Sequence, residues 1–352
     1  MQKRKVAILG SGGLVSQRLQ QRLAYHPWFE LSVVAGVNRY QTGTLNDVPW
    51  VLDDTRPTLP DLEIYDAENV ETVLTCVSQG VTFAFSALSA QDAQHIEPLW
   101  RQHGIIVFSN ASAFRGARHI PLVIPEINPR AIDPITTAQF QHHLCATNCT
   151  LLPLIMPLAA LHEKFNLLEF TMRSEQSLSG GGYDYMQSAL NAGKVDPDIP
   201  GEAIKTDQEF RHILNWQGIS SITCSRVMRK EGHLVFVQAK FERAITLENV
   251  KDCLLQWSLA HTLEHLPSAP SQPMMLVEEI DTKEHLYANG TSFPHYANPA
   301  TDYAAGMAIV VGGFNLLNVH ELKFEAYSHN TIRGAAGGVV FLAEFVHGSG
   351  FV

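Results

Sequence analysis

The sequence has no long apolar run: its longest stretch free of both charge and proline, residues 72–91, is broken throughout by Thr, Ser, Gln and Gly, so no transmembrane helix is expected. Beyond the short run Lys3-Arg4-Lys5 it also lacks any cluster of lysine and arginine. With 25 basic and 35 acidic residues the formal net charge is −10, so a nucleic-acid backbone would find no basic stripe to lie on. Cysteine is scarce. The five present, at 76, 145, 149, 224 and 253, have irregular spacings that form neither a disulfide framework nor paired zinc knuckles, which points to a reduced, cytoplasmic setting. The apolar stretch behind the basic residues 1–5 covers only residues 6–9, too short for a signal peptide. Internal repeats and low-complexity tracts are absent as well. What is there is the composition of a globular enzyme, 45% apolar and 17% charged, in 352 residues, enough for two domains of about 150 residues each.

Residues 5–9 form a short apolar run that stops at Gly10-Ser11-Gly12-Gly13; helical character follows over 14–25 and strand character over 29–34. Strand, glycine turn, helix and strand make a βαβ unit. Further strand-like runs at 81–85, 105–108 and 122–124, with a helix at 90–103, continue the alternation of a doubly wound parallel sheet. Beyond residue 149 the texture changes. Strands are expected at 167–173, 220–228, 234–243, 307–312 and 322–327, with helices at 206–216 and 247–261. The expected fold is therefore α/β: a Rossmann-type N-terminal domain over 1–148, then an α+β domain over 149–330 with a mostly antiparallel sheet. A small-residue helix over 331–352 is expected to pack back on the first domain.

Two local features carry chemistry. Cys149 follows Asn148 and stands just before the apolar run 151–158, at the start of a helix whose dipole favours thiolate over thiol. That makes it a candidate nucleophile, although a cysteine beside leucines is also an ordinary core residue. The glycine turn after the first strand suits a dinucleotide pyrophosphate at a helix N-terminus, although residues 15 and 16 are Val and Ser, so the pattern is not a full GxGxxG. The second strand ends at 34–39 without Asp or Glu but with Arg39, which favours the 2′-phosphate of NADP over the ribose hydroxyl of NAD.

Several blocks in order along the chain then point one way: residues 10–17 (Gly-Ser-Gly-Gly-Leu-Val-Ser-Gln), 26–31 (His-Pro-Trp-Phe-Glu-Leu), 109–112 through Arg115, 121–128, Asn148-Cys149, 176–183 (Gln-Ser-Leu-Ser-Gly-Gly-Gly-Tyr), 267–270 and 328–337. Over nearly its whole length the chain resembles the aspartate-β-semialdehyde dehydrogenases, in the form typical of archaea and fungi. The resemblance implies an NADP-dependent phosphorylating aldehyde dehydrogenase that makes L-aspartate-4-semialdehyde from L-aspartyl-4-phosphate, in the branch leading to lysine, threonine, methionine and isoleucine. By matching position Cys149 would form the thioester, Gln176 would orient it and His233 would be its acid/base partner. Arg226 would clamp the substrate α-carboxylate, Arg115 and Lys205 its phosphate, and Glu202 its ammonium, with Asn148 beside them. Expected cofactor contacts are Gly10, Ser11, Gly12, Gly13, Leu14, Val15, Arg39, Ser86, Ala87, Ser179, Gly180 and Asn330. No metal is implied, and the oligomer would be a homodimer or homotetramer formed through the second domain.

The chemistry asks for the same set. A thioester separates acyl transfer from hydride transfer, an imidazole can exchange the thiol proton, and a substrate bearing carboxylate, phosphate and ammonium needs cationic forks and a carboxylate. Departures from the family pattern fall at Ser16, Val37, Ala146-Thr147 and, above all, residues 228–234, where acyl specificity is open to change. Related readings are an N-acetylglutamyl-phosphate or malonyl-CoA reductase-like enzyme, or a silent nucleotide-binding paralogue. His261-x-x-Glu264-His265 spells an inverted zinc-protease motif, but no third ligand is marked and Pro267 ends the helix; a structural reading is preferred there, as for His142, His143 and Cys145.

Overall fold

The computed structural model describes residues 2–37, 42–132 and 142–350. The first sheet contains β1 (Arg4–Leu9), β2 (Phe29–Gly36), β3 (Ile64–Asp66), β4 (Phe83–Ser86), β5 (Ile106–Ser109) and β6 (His143–Cys145). Their order is β3-β2-β1-β4-β5-β6, with every pairing parallel. This is the order of a Rossmann sheet, which places a ligand crevice beyond the carboxyl ends of β1 and β4, where the winding reverses. Val6, Ala7, Ile8 and Leu9 are all fully buried, because helices on both faces leave no solvent side for a polar residue. The helices here are α1 (Leu14–Leu23), α2 (Val70–Ser78) and α3 (Ala90–Gln102). Asn69 and Ser89 cap the last two, accepting from the amides of Glu71 and Asp92.

A long buried helix, α4 (Leu151–Phe165), leads into the second sheet. Through Leu161 it is apolar on all sides, as a core helix must be. Then come β7 (Leu167–Gln176), α5 (Tyr183–Ala192), α6 (Glu202–Leu214), β8 (Ile219–Arg226), β9 (His233–Phe241), α7 (Leu247–Gln256), β10 (Met274–Leu276), β11 (Ile309–Asn318) and β12 (Glu321–Ser328). The sheet order is β10-β11-β12-β9-β7-β8; the three inner pairings are antiparallel and the two outer ones parallel. Side chains alternate along β7, and Phe170 and Met172 face the core that α4 fills with Leu154, Leu158 and Leu161. The fold is α/β, with one parallel sheet and one mixed, mostly antiparallel sheet.

Differences from the expected elements are local. Residues 122–124 make a single bridge, Leu122 to Cys145, and the sheet position beside β5 belongs to β6. The helix expected over 247–261 stops at Gln256. After β12 the chain makes a π-helical turn, Ile332–Ala336, before α8 (Gly337–Gly348), whose Val339, Val340 and Phe341 share one apolar cluster with Val6, Ile8 and Phe85 of the first sheet. The chain thus crosses back to the first sheet, and the turn that makes the crossing lies against Cys149. Among the described residues no helix is long and apolar enough to cross a membrane.

Candidate active site

Cys149 precedes Thr150, the residue that opens α4, and sits half-buried at the cleft between the two sheets. A Cβ on Gly334, in the π-helical turn, would come within 2.5 Å of the Cys149 Cβ, so only glycine allows this approach. The Cys149 Sγ lies 3.3 Å from Nε2 of His233, the buried first residue of β9. Burial, reinforced by the Glu202 carboxylate, pushes the thiol up to about 12, against the opposing pull of Arg115 and Arg226. Burial and the neighbouring Arg226 cation likewise hold His233 down at about 3. The resting pair is therefore a neutral thiol beside a neutral imidazole.

One end of the second sheet supplies the surrounding side chains. Gln176 and Arg226 end β7 and β8 as register partners, and His233 pairs with Ser328 at the end of β12. Arg226 donates from Nη1 to the Ser177 carbonyl at 2.8 Å and lies over the Tyr185 ring. Gly180 makes room for it: a Cβ there would meet Arg226 Nη1 at 2.7 Å and the His233 ring at 3.3 Å. Glu202, the first residue of α6, accepts from Asn148 Nδ2 at 2.8 Å and has Gln176 Nε2 and Thr150 Oγ1 at 3.5 Å. Five expected residues, Cys149, His233, Gln176, Glu202 and Asn148, thus form one connected group, with Arg226 on its flank.

Arg115 and Lys205 line a separate cavity of about 410 Å³ together with Ser112, Gln208 and His212. Sequence reasoning missed the residue that ties this cavity to the cysteine. Glu209 accepts from Arg115 Nη1 at 3.2 Å and, through its other oxygen, from the Asn148 backbone amide at 2.7 Å. It lies two turns along α6 from Glu202, on the same face; that spacing was the only signal available.

The glycine turn opens onto a cavity of about 480 Å³ at the crevice, lined by Gly10, Ser11, Gly12, Gly13 and Ala87, with Val37, Trp50, Ser89 and Tyr183 not expected from sequence. Ser16, where the full motif has glycine, bonds the Gly10 carbonyl at 2.7 Å and so braces the turn from within α1. Leu14 packs on Leu52 and Leu178, Val15 packs on the core of the first sheet, and Ser86 is fully buried at the end of β4. Ser179 and Asn330 bond each other at 2.9 Å behind His233, and Gly180 faces Arg226. Arg39 lies outside the described residues.

The divergent segment before His233 turns toward the first sheet. Glu231 accepts from Arg18 of α1 through both oxygens, at 3.1 and 2.9 Å, and from Thr331 at 2.7 Å. Burial opposes its ionisation, but Arg18 and His329 override it and hold the carboxyl at about 2. Arg229 bonds the carbonyls of Gly232 and Glu175. The histidines and glutamate of 261–265 lie on exposed turns, and His143 forms a buried pair with Glu97 at 3.0 Å.

A glycine-turn crevice and a cysteine–histidine pair in one chain define the class, a nucleotide-dependent dehydrogenase; correspondingly, the family described as semialdehyde dehydrogenase, NAD binding domain, matches residues 5–135. An aspartate-semialdehyde dehydrogenase of Archaeoglobus fulgidus is 31% identical, with 97% of each chain covered. The chain belongs to the aspartate-semialdehyde dehydrogenase family. A solved structure of aspartate semialdehyde dehydrogenase with NADP from Candida albicans matches with a TM-score of 0.79 at 26% identity, covering 100% of both chains. A malonyl CoA reductase (NADP) of Metallosphaera sedula is 26% identical, covering 99% of this chain and 98% of its own.

Proposed function

We propose that this enzyme interconverts L-aspartyl-4-phosphate and L-aspartate-4-semialdehyde with NADP(H), through a thioester on Cys149. The observation that carries the reading is the 3.3 Å contact between Cys149 and His233, joined to the Glu202, Asn148 and Gln176 group and flanked by Arg226. Arg226 clamps the α-carboxylate, Glu202 faces the ammonium, and Arg115 with Lys205 receives the phosphate in their cavity. Asn148 and Gln176, bonded to Glu202, hold the acyl chain and its carbonyl over the sulfur. Glu202 also favours an amino acid over an acyl group without an ammonium, such as malonyl.

The turn at Gly10 to Gly13 fits a dinucleotide, because it lines the crevice at the start of α1 without side chains at three of its four positions. NADPH bound there supplies the hydride; preference for NADP rests on Arg39 and on the NADP named with the Candida albicans relative. We take residues 1–148 with 331–352 as the cofactor unit and 149–330 as the catalytic and subunit-contact unit. The open face of the second sheet, where Arg173, Phe236 and Gln238 line a cavity of about 490 Å³, is the surface we assign to a homodimer or homotetramer. Five free thiols suit a reducing cytoplasm.

The test follows NADPH formation at alkaline pH with L-aspartate-4-semialdehyde and phosphate, for the natural protein and Cys149→Ser. Turnover by the first and its loss in the second is the expected result. Activity that survives in Cys149→Ser overturns the mechanism, and no turnover by the natural protein overturns the substrate.

A further inference from the structure

Within the segment that departs from the family pattern, residues 228–231 line a cavity of their own. It measures about 700 Å³ and lies between Arg18 of α1, residues 53–54 and the turns at 282–297. It shares no lining residue with the cofactor crevice or the phosphate cavity, and its size is that of a small-molecule site.

The buried side of this cavity is anionic. Arg18, with a side chain only 2% exposed, is gripped by both Asp54 and Glu231, so two carboxylates meet one guanidinium and one negative charge is left over. Tyr287 donates to Asp54 and stays neutral, its hydroxyl pushed up by burial. His329, 3.6 Å from Glu231, does not balance the charge either, because burial holds it down at about 4. The two carboxylates keep 20% and 18% of their side-chain surface, so a ligand can reach them. The exposed side has the opposite sign. Lys283 reaches no partner among the described residues, and Lys230 pairs only with Asp53, itself 79% exposed. A solvent-facing pair of that kind is worth little, and either member can turn to a ligand. Met228, Leu286 and Tyr296 add apolar surface to the same cavity.

We propose that this cavity binds a free α-amino acid with an apolar side chain, its ammonium toward Asp54 and Glu231 and its carboxylate toward Lys283 and Lys230. An ammonium brings three N–H donors and one positive charge to a floor that is short of one. A simple anion meets repulsion at that floor, and a simple amine leaves the two lysines unused. Glu231 also accepts from Thr331 and stands two residues before His233, so a ligand that draws on its oxygens loosens the segment that carries His233. The bound amino acid therefore acts as an effector of turnover. That consequence rests on the aspartyl-phosphate reading; the site itself does not.

Calorimetry on the full-length protein tests the site without turnover. L-leucine, L-methionine and L-phenylalanine are each titrated beside the analogue lacking the carboxylate and the analogue lacking the ammonium, for leucine isopentylamine and 4-methylpentanoate. At least one amino acid should bind with a Kd of about 1 mM or tighter, and loss of either charge should weaken it about tenfold or more. Lys283→Glu should cost about tenfold in affinity, while Arg226→Lys, at the proposed clamp of the active site, leaves it within about twofold. No saturable heat with any of the three overturns the proposal, as does an analogue that binds as tightly as its amino acid. Binding lost in Arg226→Lys and kept in Lys283→Glu also overturns it, since the ligand would then lie in the active site. In NADPH formation the bound amino acid should lower kcat with the KM for the aldehyde unchanged; a purely competitive pattern overturns the effector role. A protein that binds the amino acid but does not turn over aspartate semialdehyde keeps the site and loses only the functional reading.

Discussion

The two sheets meet at one cleft but contribute to it in different ways. The parallel sheet presents backbone: its crevice is walled by Gly10, Ser11, Gly12 and Gly13, a turn braced from behind by Ser16. The mixed sheet presents side chains, Gln176, Arg226 and His233, at the ends of three adjacent strands and held by buried hydrogen bonds. A cofactor pyrophosphate needs amides and space, which a short glycine turn supplies by itself. Acyl transfer needs a sulfur, an imidazole and an arginine fixed to within a fraction of an ångström, which no single segment can supply. Damage to the first sheet's end should therefore read out in cofactor affinity, and damage to the second's in turnover.

The strongest way to sharpen that contrast is Arg226→Lys. An ammonium cannot reproduce the planar fork or its bond to the Ser177 carbonyl, so kcat/KM should fall by about 100-fold with both parameters affected. Unchanged kinetics would remove Arg226 from the site. Next comes a matched pair of glycine substitutions. In Gly180→Ala the new methyl meets Arg226 and the His233 ring, and kcat should drop about tenfold with little change in cofactor KM. In Gly10→Ala the backbone has φ +100° and the methyl comes 3.2 Å from the Ala87 carbonyl, so cofactor KM should rise about tenfold with kcat largely kept. Interchanged effects would break the contrast between the two ends.

Smaller still is Glu209→Gln, which keeps an acceptor for the Asn148 amide but discards the charge that anchors Arg115. The KM for phosphate should rise about threefold, because Arg115 keeps its bond to the Asn110 carbonyl, while kcat stays close to natural. A separate effect, read in a different quantity, is on stability in acid. His233 and His329 are held at about 3 and about 4 in the fold against 6.5 in the open chain. Between pH 6.5 and about 4 the unfolded chain binds protons that the native one refuses, so stability falls as pH falls, by at most about 1.4 kcal/mol per pH unit for each histidine. Urea midpoints at pH 7 and pH 5 should differ less in His329→Asn than in the natural protein; an unaltered difference would show that His329 takes up protons normally in the fold.

What was legible in the sequence follows the same division. The glycine turn, β1 and the apolar α4 each occupy one contiguous segment, so their patterns could be read directly. β3 and β6 could not be read this way, because three residues are too few to display a period. The residues gathered around Cys149 were named through resemblance to a family; alone, each passes for a surface or strand-end residue. Glu209 went unseen because its role exists only where Arg115 and the Asn148 amide converge on it, 94 and 61 positions away. The direction of the Cys149 shift was also beyond reach. A helix start predicts a favoured thiolate, but burial and Glu202, which come from tertiary structure, push the thiol up. Within residues 228–234, marked as a place where specificity had room to change, Glu231 proved to be bonded to Arg18, a partner 213 positions away.

The central claim, that Cys149 carries the acyl group, is tested most directly by mixing the enzyme with L-aspartate-4-semialdehyde and NADP in the absence of phosphate. The aldehyde then loses a hydride to NADP, the thiol loses its proton, and the acyl group remains on sulfur. The account predicts a burst of about one NADPH per subunit and an aspartyl adduct on the peptide containing Cys149, both removed when phosphate is added. No burst, or an adduct on another residue, would contradict it.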